Sequence, residues 1–175
     1  MKKLLYLPFV FCLTFCNCKK DLSSKTVSNT ITSITSQCPE NGICTIELLK
    51  NKELNVKTDE FGSTYFTLID NPKTSVIQYQ YNRNVEKGLQ DAQHKEQILF
   101  EINNDISNLN LQNEDLQKTK MLFGRLCFCR GQTGHYKVIN GDLKLNKNND
   151  VYAVDLNFKI DQVPQLYTTV KATVK

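Results

Sequence analysis

Downstream of residue 43 the apolar side chains recur at every second position in short runs, and such alternation leaves a chain little choice but β-structure. Ile77, Tyr79 and Tyr81 share one face of a run whose other face is Gln78, Gln80 and Asn82. Ile98, Phe100 and Ile102 form the mirror pattern, so these two runs are expected to pair antiparallel. Tyr152, Val154, Leu156, Phe158 and Ile160 line a further face. Leu166, Thr168, Val170, Ala172 and Val174 line a last one. Between the runs lie turn signals: Asp59-Glu60-Phe61-Gly62, Asp70-Asn71-Pro72-Lys73, a long polar loop from Asn82 to Lys95, and Lys147 to Asp150. Asn140-Gly141 is the pair favoured in a two-residue type I′ hairpin. That turn would set Val138 opposite Leu143 and Tyr136 opposite Leu145, all on one face. Only Asn113 to Gln117 reads as a helical turn. The expected fold is all-β, an antiparallel β-sandwich of about 8–9 strands, Ig-like or related, with a barrel as the alternative. Tryptophan is absent, so the Cys-Trp-Cys signature of antibody domains does not apply.

The run from Met121 to Gly131 carries Cys127 and Cys129 on one face with Phe123 and Arg125; Leu122, Leu126 and Phe128 lie on the other. Two largely apolar faces imply a central strand covered on both sides. Two more cysteines, Cys38 and Cys44, bracket Pro-Glu-Asn-Gly-Ile far upstream. Side chains two apart on a strand are parallel and about 6.6 Å apart, so a Cys127–Cys129 bond is not expected. Two pairings are left. Cys38 and Cys44 each bridge to the central strand, closing loops of about 85 to 90 residues with about 4 kcal/mol of entropic stabilisation apiece. Otherwise Cys38 closes on Cys44 and leaves two thiols on one face.

The first residues form a different kind of segment. Lys2 and Lys3 precede an apolar run from Leu4 to Phe15, too short to span a bilayer and suited to an export leader. Cys16-Asn17-Cys18-Lys19-Lys20-Asp21 follows, and this boundary resembles a bacterial lipoprotein signal of Bacteroidota type. The resemblance implies that Cys18, with Cys16 as the alternative, receives lipid, palmitate included, and becomes the mature N-terminus. It covers only the first 21 residues. The expected layout is a lipoprotein signal peptide over 1–17, a Ser/Thr-rich tether over 18–37 and a single β-sandwich domain over 38–175. Export makes two disulfides the simplest use of Cys38, Cys44, Cys127 and Cys129. The formal charge of +4 falls to +2 once Lys2 and Lys3 leave with the leader, which is too weak a balance to imply nucleic acid as a partner.

For chemistry the chain offers little at sequence level. It has no Gly-x-Ser-x-Gly elbow, no phosphate-cradling glycine loop and no His-Glu-x-x-His helix. His94 falls on a predicted loop and His135 at a strand start, both expected to be solvated. Asp105, Glu114 and Asp115 lie in polar stretches, where carboxylates are solvated and not paired for glycoside hydrolysis. Tyr65, Tyr79, Tyr81 and Tyr136 could form a ligand platform, although alternating tyrosines on strands are more often half-buried sheet residues. Arg125, if buried, needs an acidic partner and marks a place to inspect.

These readings converge on a lipid-anchored protein of the cell envelope, on the outer membrane of a Gram-negative bacterium. It is expected to be no enzyme and to need no cofactor. Its partners are the membrane, through the N-terminal lipid, and a protein or glycan ligand met by Tyr79, Tyr81, Tyr136 and Arg125. The alternative is a metal-binding lipoprotein using Cys127, Cys129 and His135. An envelope hydrolase comes third.

Overall fold

The computed structural model describes residues 32–86, 88, 89 and 91–175. The expected signal peptide and lipid-attachment cysteines, Cys16 and Cys18, lie outside the described residues.

The alternating runs form ten strands in two antiparallel five-stranded sheets. The first sheet orders β1 (Ser33–Ile34), β10 (Thr169–Val174), β9 (Val151–Phe158), β8 (Gly141–Asn148) and β5 (Asn108–Gln112). The second orders β2 (Gly42–Thr58), β3 (Thr64–Arg83), β4 (His94–Asn103), β6 (Leu122–Cys127) and β7 (Gly134–Lys137). The all-β sandwich is as expected, but this order is not the ABED and CFG arrangement of immunoglobulin domains. Between the sheets lies one core. Ile46, Ile77, Tyr79, Ile98, Phe100 and Phe123 from the second sheet meet Leu143, Leu145, Val154, Leu156, Phe158 and Val170 from the first. The two central runs pair as their patterns predicted, Tyr79 opposite Ile98 and Ile77 opposite Phe100.

Strands β2 and β3 are long enough to do two jobs. Their halves nearest the chain ends belong to the sandwich; the rest folds back as an arm across the outer face of the second sheet. The fold-back is at Asn51 and at Asp70-Asn71-Pro72-Lys73, where the pairing jumps from Lys50–Ser75 to Lys52–Asp70. Asn51 has φ 57°, and the Asn71 side chain accepts the Lys73 amide. The Asp-Asn-Pro-Lys signal is therefore a large bulge and not the end of a strand. The arm buries Leu54 against Val76 and Leu99, with Leu49, Val56 and Phe66 around them. Its first β3 residue, Thr64, reaches across to pair with His135 on β7. β6 is thereby covered on both sides, and Leu122 and Phe123, on opposite faces, are both fully buried.

Three expectations are corrected. Asn140-Gly141 makes no hairpin: β7 pairs with β6 in one sheet, and β8 pairs with β9 and β5 in the other. Type I′ needs positive φ at both central residues, and Asn140 lacks it. Val138, Leu143 and Leu145 do share a core, but from opposite sheets, which an alternation pattern cannot distinguish from pairing. The glycine serves close approach, since a Cβ at Gly141 would lie 2.8 Å from the Phe158 Cα. Second, Ser33 and Ile34, placed in the tether, pair with Thr173 and Ala172 as β1. Third, the last alternating frame breaks at β10, where Val170, Ala172 and Val174 are buried but Leu166 and Thr168 are exposed.

Truncating Leu54 to alanine removes the one fully buried side chain that the arm contributes to this contact. We expect urea unfolding to show a loss of about 2–4 kcal/mol. Faster amide exchange should be confined to Lys52–Thr58 and Thr64–Asp70 if the arm opens as a unit.

Candidate functional site

At one end of the sandwich the core face stops being apolar. β4 continues its inward row, Ile102, Phe100 and Ile98, with Glu96 and His94. Opposite them β6 continues Phe123 with Arg125 and Cys127, so Glu96 pairs with Arg125 and His94 with Cys127. Glu96 has no exposed surface and Arg125 almost none. Arg125 Nη1 donates to Glu96 Oε1 at 2.6 Å and to the Pro164 carbonyl at 2.9 Å. The other carboxylate oxygen of Glu96 accepts the Leu166 amide at 2.8 Å. Pro164 and Leu166 belong to the loop between β9 and β10, so a single buried ion pair joins the two sheets at this end.

His94, also buried, has Nε2 at 3.0 Å from Glu96 Oε1. Tyr167 packs edge-on to Tyr79 beside this cluster, with ring centroids 5.1 Å apart. Burial drives the Tyr167 phenol well above its usual range, reinforced by the Glu96 charge and by Tyr79. Its hydroxyl has no hydrogen-bond partner among the described residues.

The cysteines follow the second expected arrangement in part: Cys38 closes on Cys44, but the other two are not left as thiols. Cys38 is bonded to Cys44, with Cα atoms 5.9 Å apart, and Cys127 to Cys129, with Cα atoms 5.2 Å apart. Neither pair staples the N-terminal turn to the central strand. The Cys127–Cys129 bond was discounted on strand spacing, but β6 ends at Cys127 and the chain bends at Phe128. Thr133 Oγ1 holds that bend, donating to the Cys127 carbonyl, while the Gln132 amide donates to the Cys129 carbonyl. Phe128 is turned out to solvent, 83% exposed.

Of the expected metal set, Cys127 and Cys129 come together but His135 does not join them. His135 opposes Gly124, on the outer face of the sheet, where it contacts Gln97 at 3.1 Å and Phe66 edge-on. His94 takes its place: its ligating nitrogen and the two sulfurs lie within 4.8 Å of one another. Neither histidine is solvated as expected. The tyrosine platform does not form either, because Tyr79 and Tyr81 are core residues and Tyr136 is half-buried. Asp105, Glu114 and Asp115 are exposed, as expected.

Glu96 was missed, although the signal existed. Extending the Ile98, Phe100, Ile102 row by two steps lands on Glu96 and then His94. A carboxylate on an apolar row opposite a strand bearing an arginine is a buried pair in waiting.

Shallow grooves surround this end. One is lined by Cys127, Phe128, Cys129, Arg130 and Thr133, and a larger one runs from Phe61 and Thr64 to Gly131, Thr133 and His135. Among the described residues no helix is long and apolar enough to cross a membrane. No protein family, curated protein or solved structure matches the chain.

Replacing Arg125 by methionine leaves a buried carboxylate without its cation and should cost about 3–5 kcal/mol in chemical denaturation. Adding Glu96→Gln should recover part of that loss, because the remaining amide carries no charge to strand. The second expectation concerns His135, whose pKa burial and the Lys95 charge lower beneath the unfolded value of 6.5, against a smaller opposing effect of Thr64. Above 6.5 the imidazole is neutral in both states and its contribution to stability is complete. As pH falls below 6.5 the unfolded chain takes the proton first, so stability is lost. Urea midpoints taken from about pH 7 to about pH 5 should therefore fall more steeply for the wild type than for His135→Gln.

Proposed function

We propose that this chain is an exported, lipid-anchored protein of a Gram-negative cell envelope, whose sandwich is a non-catalytic binding module for a protein or glycan. The reading is carried by the polarity of the domain. Ser33 pairs with Thr173, near the end where β10 finishes and the β8–β9 turn sits. The Cys127–Cys129 loop lies at the opposite end, beside the loop that leads into β10. The arm also returns to that far end, bringing Phe61, 85% exposed, next to Gly131 and Thr133. A chain tethered through residue 32 thus holds Phe61 and Phe128 away from its anchor. Exposed aromatics set on ordered β-turns are suited to ligand contact. The lipoprotein-like Cys18-Lys19-Lys20-Asp21 supplies the anchoring half of the proposal.

Two experiments on the full chain in envelopes test it. Cys18→Ser should release the protein from the membrane fraction and abolish palmitate incorporation. Retention with label in both Cys18→Ser and Cys16→Ser would overturn the anchor. A photo-crosslinking residue at position 128 should give a discrete adduct that is absent from position 149, at the anchor end. Equal adducts at both positions, or none at 128, would overturn the binding end.

A further inference from the structure

The geometry points to a redox-gated site for a soft d10 metal ion, Cu(I) or Zn(II), formed by His94, Cys127 and Cys129 when their disulfide is reduced. Cysteine thiolates select such ions, and imidazole suits both. A site with metal–sulfur bonds of about 2.3 Å and a metal–nitrogen bond of about 2.0 Å has donor atoms roughly 3.5–4 Å apart. The three donors here are already within 4.8 Å of one another. Separating two bonded sulfurs to that spacing needs side-chain rotation and no new fold.

The surroundings of His94 are the second, independent observation. A metal-ligating histidine characteristically gives its other ring N–H to a carboxylate, which fixes tautomer and orientation. His94 Nε2 stands 3.0 Å from Glu96 Oε1; in the tautomer that gives its Nε2 proton to Glu96, Nδ1 is the nitrogen that would ligate. Glu96 is in turn locked by Arg125 and by the Leu166 amide, so the carboxylate cannot swing away. Arg125 balances the Glu96 charge, and the two thiolates balance a divalent ion or exceed a monovalent one by a single charge.

A purely structural role accounts less well for this bond. A cross-link between residues two apart closes a minimal loop, which restrains the unfolded chain far less than the long bridges expected from the sequence would. The bond is also reachable, since Cys127 and Cys129 are part-exposed and line a surface groove.

The gate is thiol–disulfide exchange with an external dithiol. One reductant thiolate attacks a sulfur of the pair and forms a mixed disulfide. The reductant's second thiol then attacks its own sulfur in that bond, leaving as a cyclic disulfide. Two electrons and two protons pass to Cys127 and Cys129. Metal then displaces the two thiol protons. Cu(I) is satisfied by the three donors, whereas Zn(II) takes a fourth from outside.

The test is titration of the full chain, after dithiol reduction and removal of the reductant, with Cu(I) and Zn(II) against chromogenic competitors. The control, Cys127→Ser with Cys129→Ser, retains all the other cysteines and so cancels them. Reduced wild type should bind one equivalent more than this control, and the oxidised protein should not. His94→Gln, which keeps a hydrogen bond to Glu96, should weaken that equivalent at least tenfold. If reduced wild type and control bind alike, or His94→Gln matches wild type, the proposal is overturned. Should His94→Gln fail to fold by circular dichroism, X-ray absorption of the loaded wild type decides. Two sulfurs with an imidazole support the site, and sulfur alone overturns it. The ion retained at the extra equivalent identifies the metal.

Discussion

The ion pair between Glu96 and Arg125 is the interaction on which the upper part of this fold depends. Two charges removed from water are costly unless every lone pair is met, and here they nearly are: Arg125, His94 and the Leu166 amide all converge on one carboxylate. The pair joins neighbouring strands, yet its second contacts, to Pro164 and Leu166, come from the loop that links β9 and β10 of the facing sheet. An apolar pair could fill the same space. It would leave the Pro164 carbonyl and the Leu166 amide without these partners. The Nε of Arg125 has no hydrogen-bond partner among the described residues.

The opposite face of the same sheet is organised by a different device. Lys120, at φ 52° just after the 3₁₀ helix Asn113–Thr119, reaches Glu53 on the arm and Glu101 on β4. Burial pulls its pKa down, but hydrogen bonds and charge from Glu101 and Glu53 outweigh it and leave the lysine above its usual value. Glu101 also accepts the Leu54 amide. One polar cluster thus orients the arm, while Leu54, Val76 and Leu99 supply the apolar contact beneath it. The result is a sheet covered on both faces, with His94, Arg125 and Cys127 on the inner one and His135 on the outer.

Much of this was legible because period-two alternation reports directly on which side of a strand meets the core. The pairing of β3 with β4 followed from Tyr79 and Ile98, and the β8–β9 turn from Lys147 to Asp150. Alternation is silent on which sheet a strand joins. Tyr136, Val138, Leu143 and Leu145 obeyed one frame although two sheets supply them, and so the hairpin at Asn140-Gly141 was illusory. The Asp-Asn-Pro-Lys bulge was hidden for a related reason, since a turn signal does not say whether the chain reverses or merely bends. At the site, Arg125 was flagged through its need for a partner, but Glu96 and His94 were hidden by the polar loop before them. The Cys127–Cys129 bond was excluded by assuming that the strand continued through Phe128.

The way the chain enters the domain has a mechanical consequence. Ser33 and Ile34 run antiparallel to β10, and the Thr35 and Ser36 amides both meet the Lys171 carbonyl. A pull on residue 32 away from the domain acts along these strands, while the hydrogen bonds lie across them. The bonds are therefore loaded together, in shear, and do not open one after another as a peeled edge would. Tension applied through residue 32 would be borne first by the β1–β10 seam, with the Cys38–Cys44 loop behind it, before reaching the core.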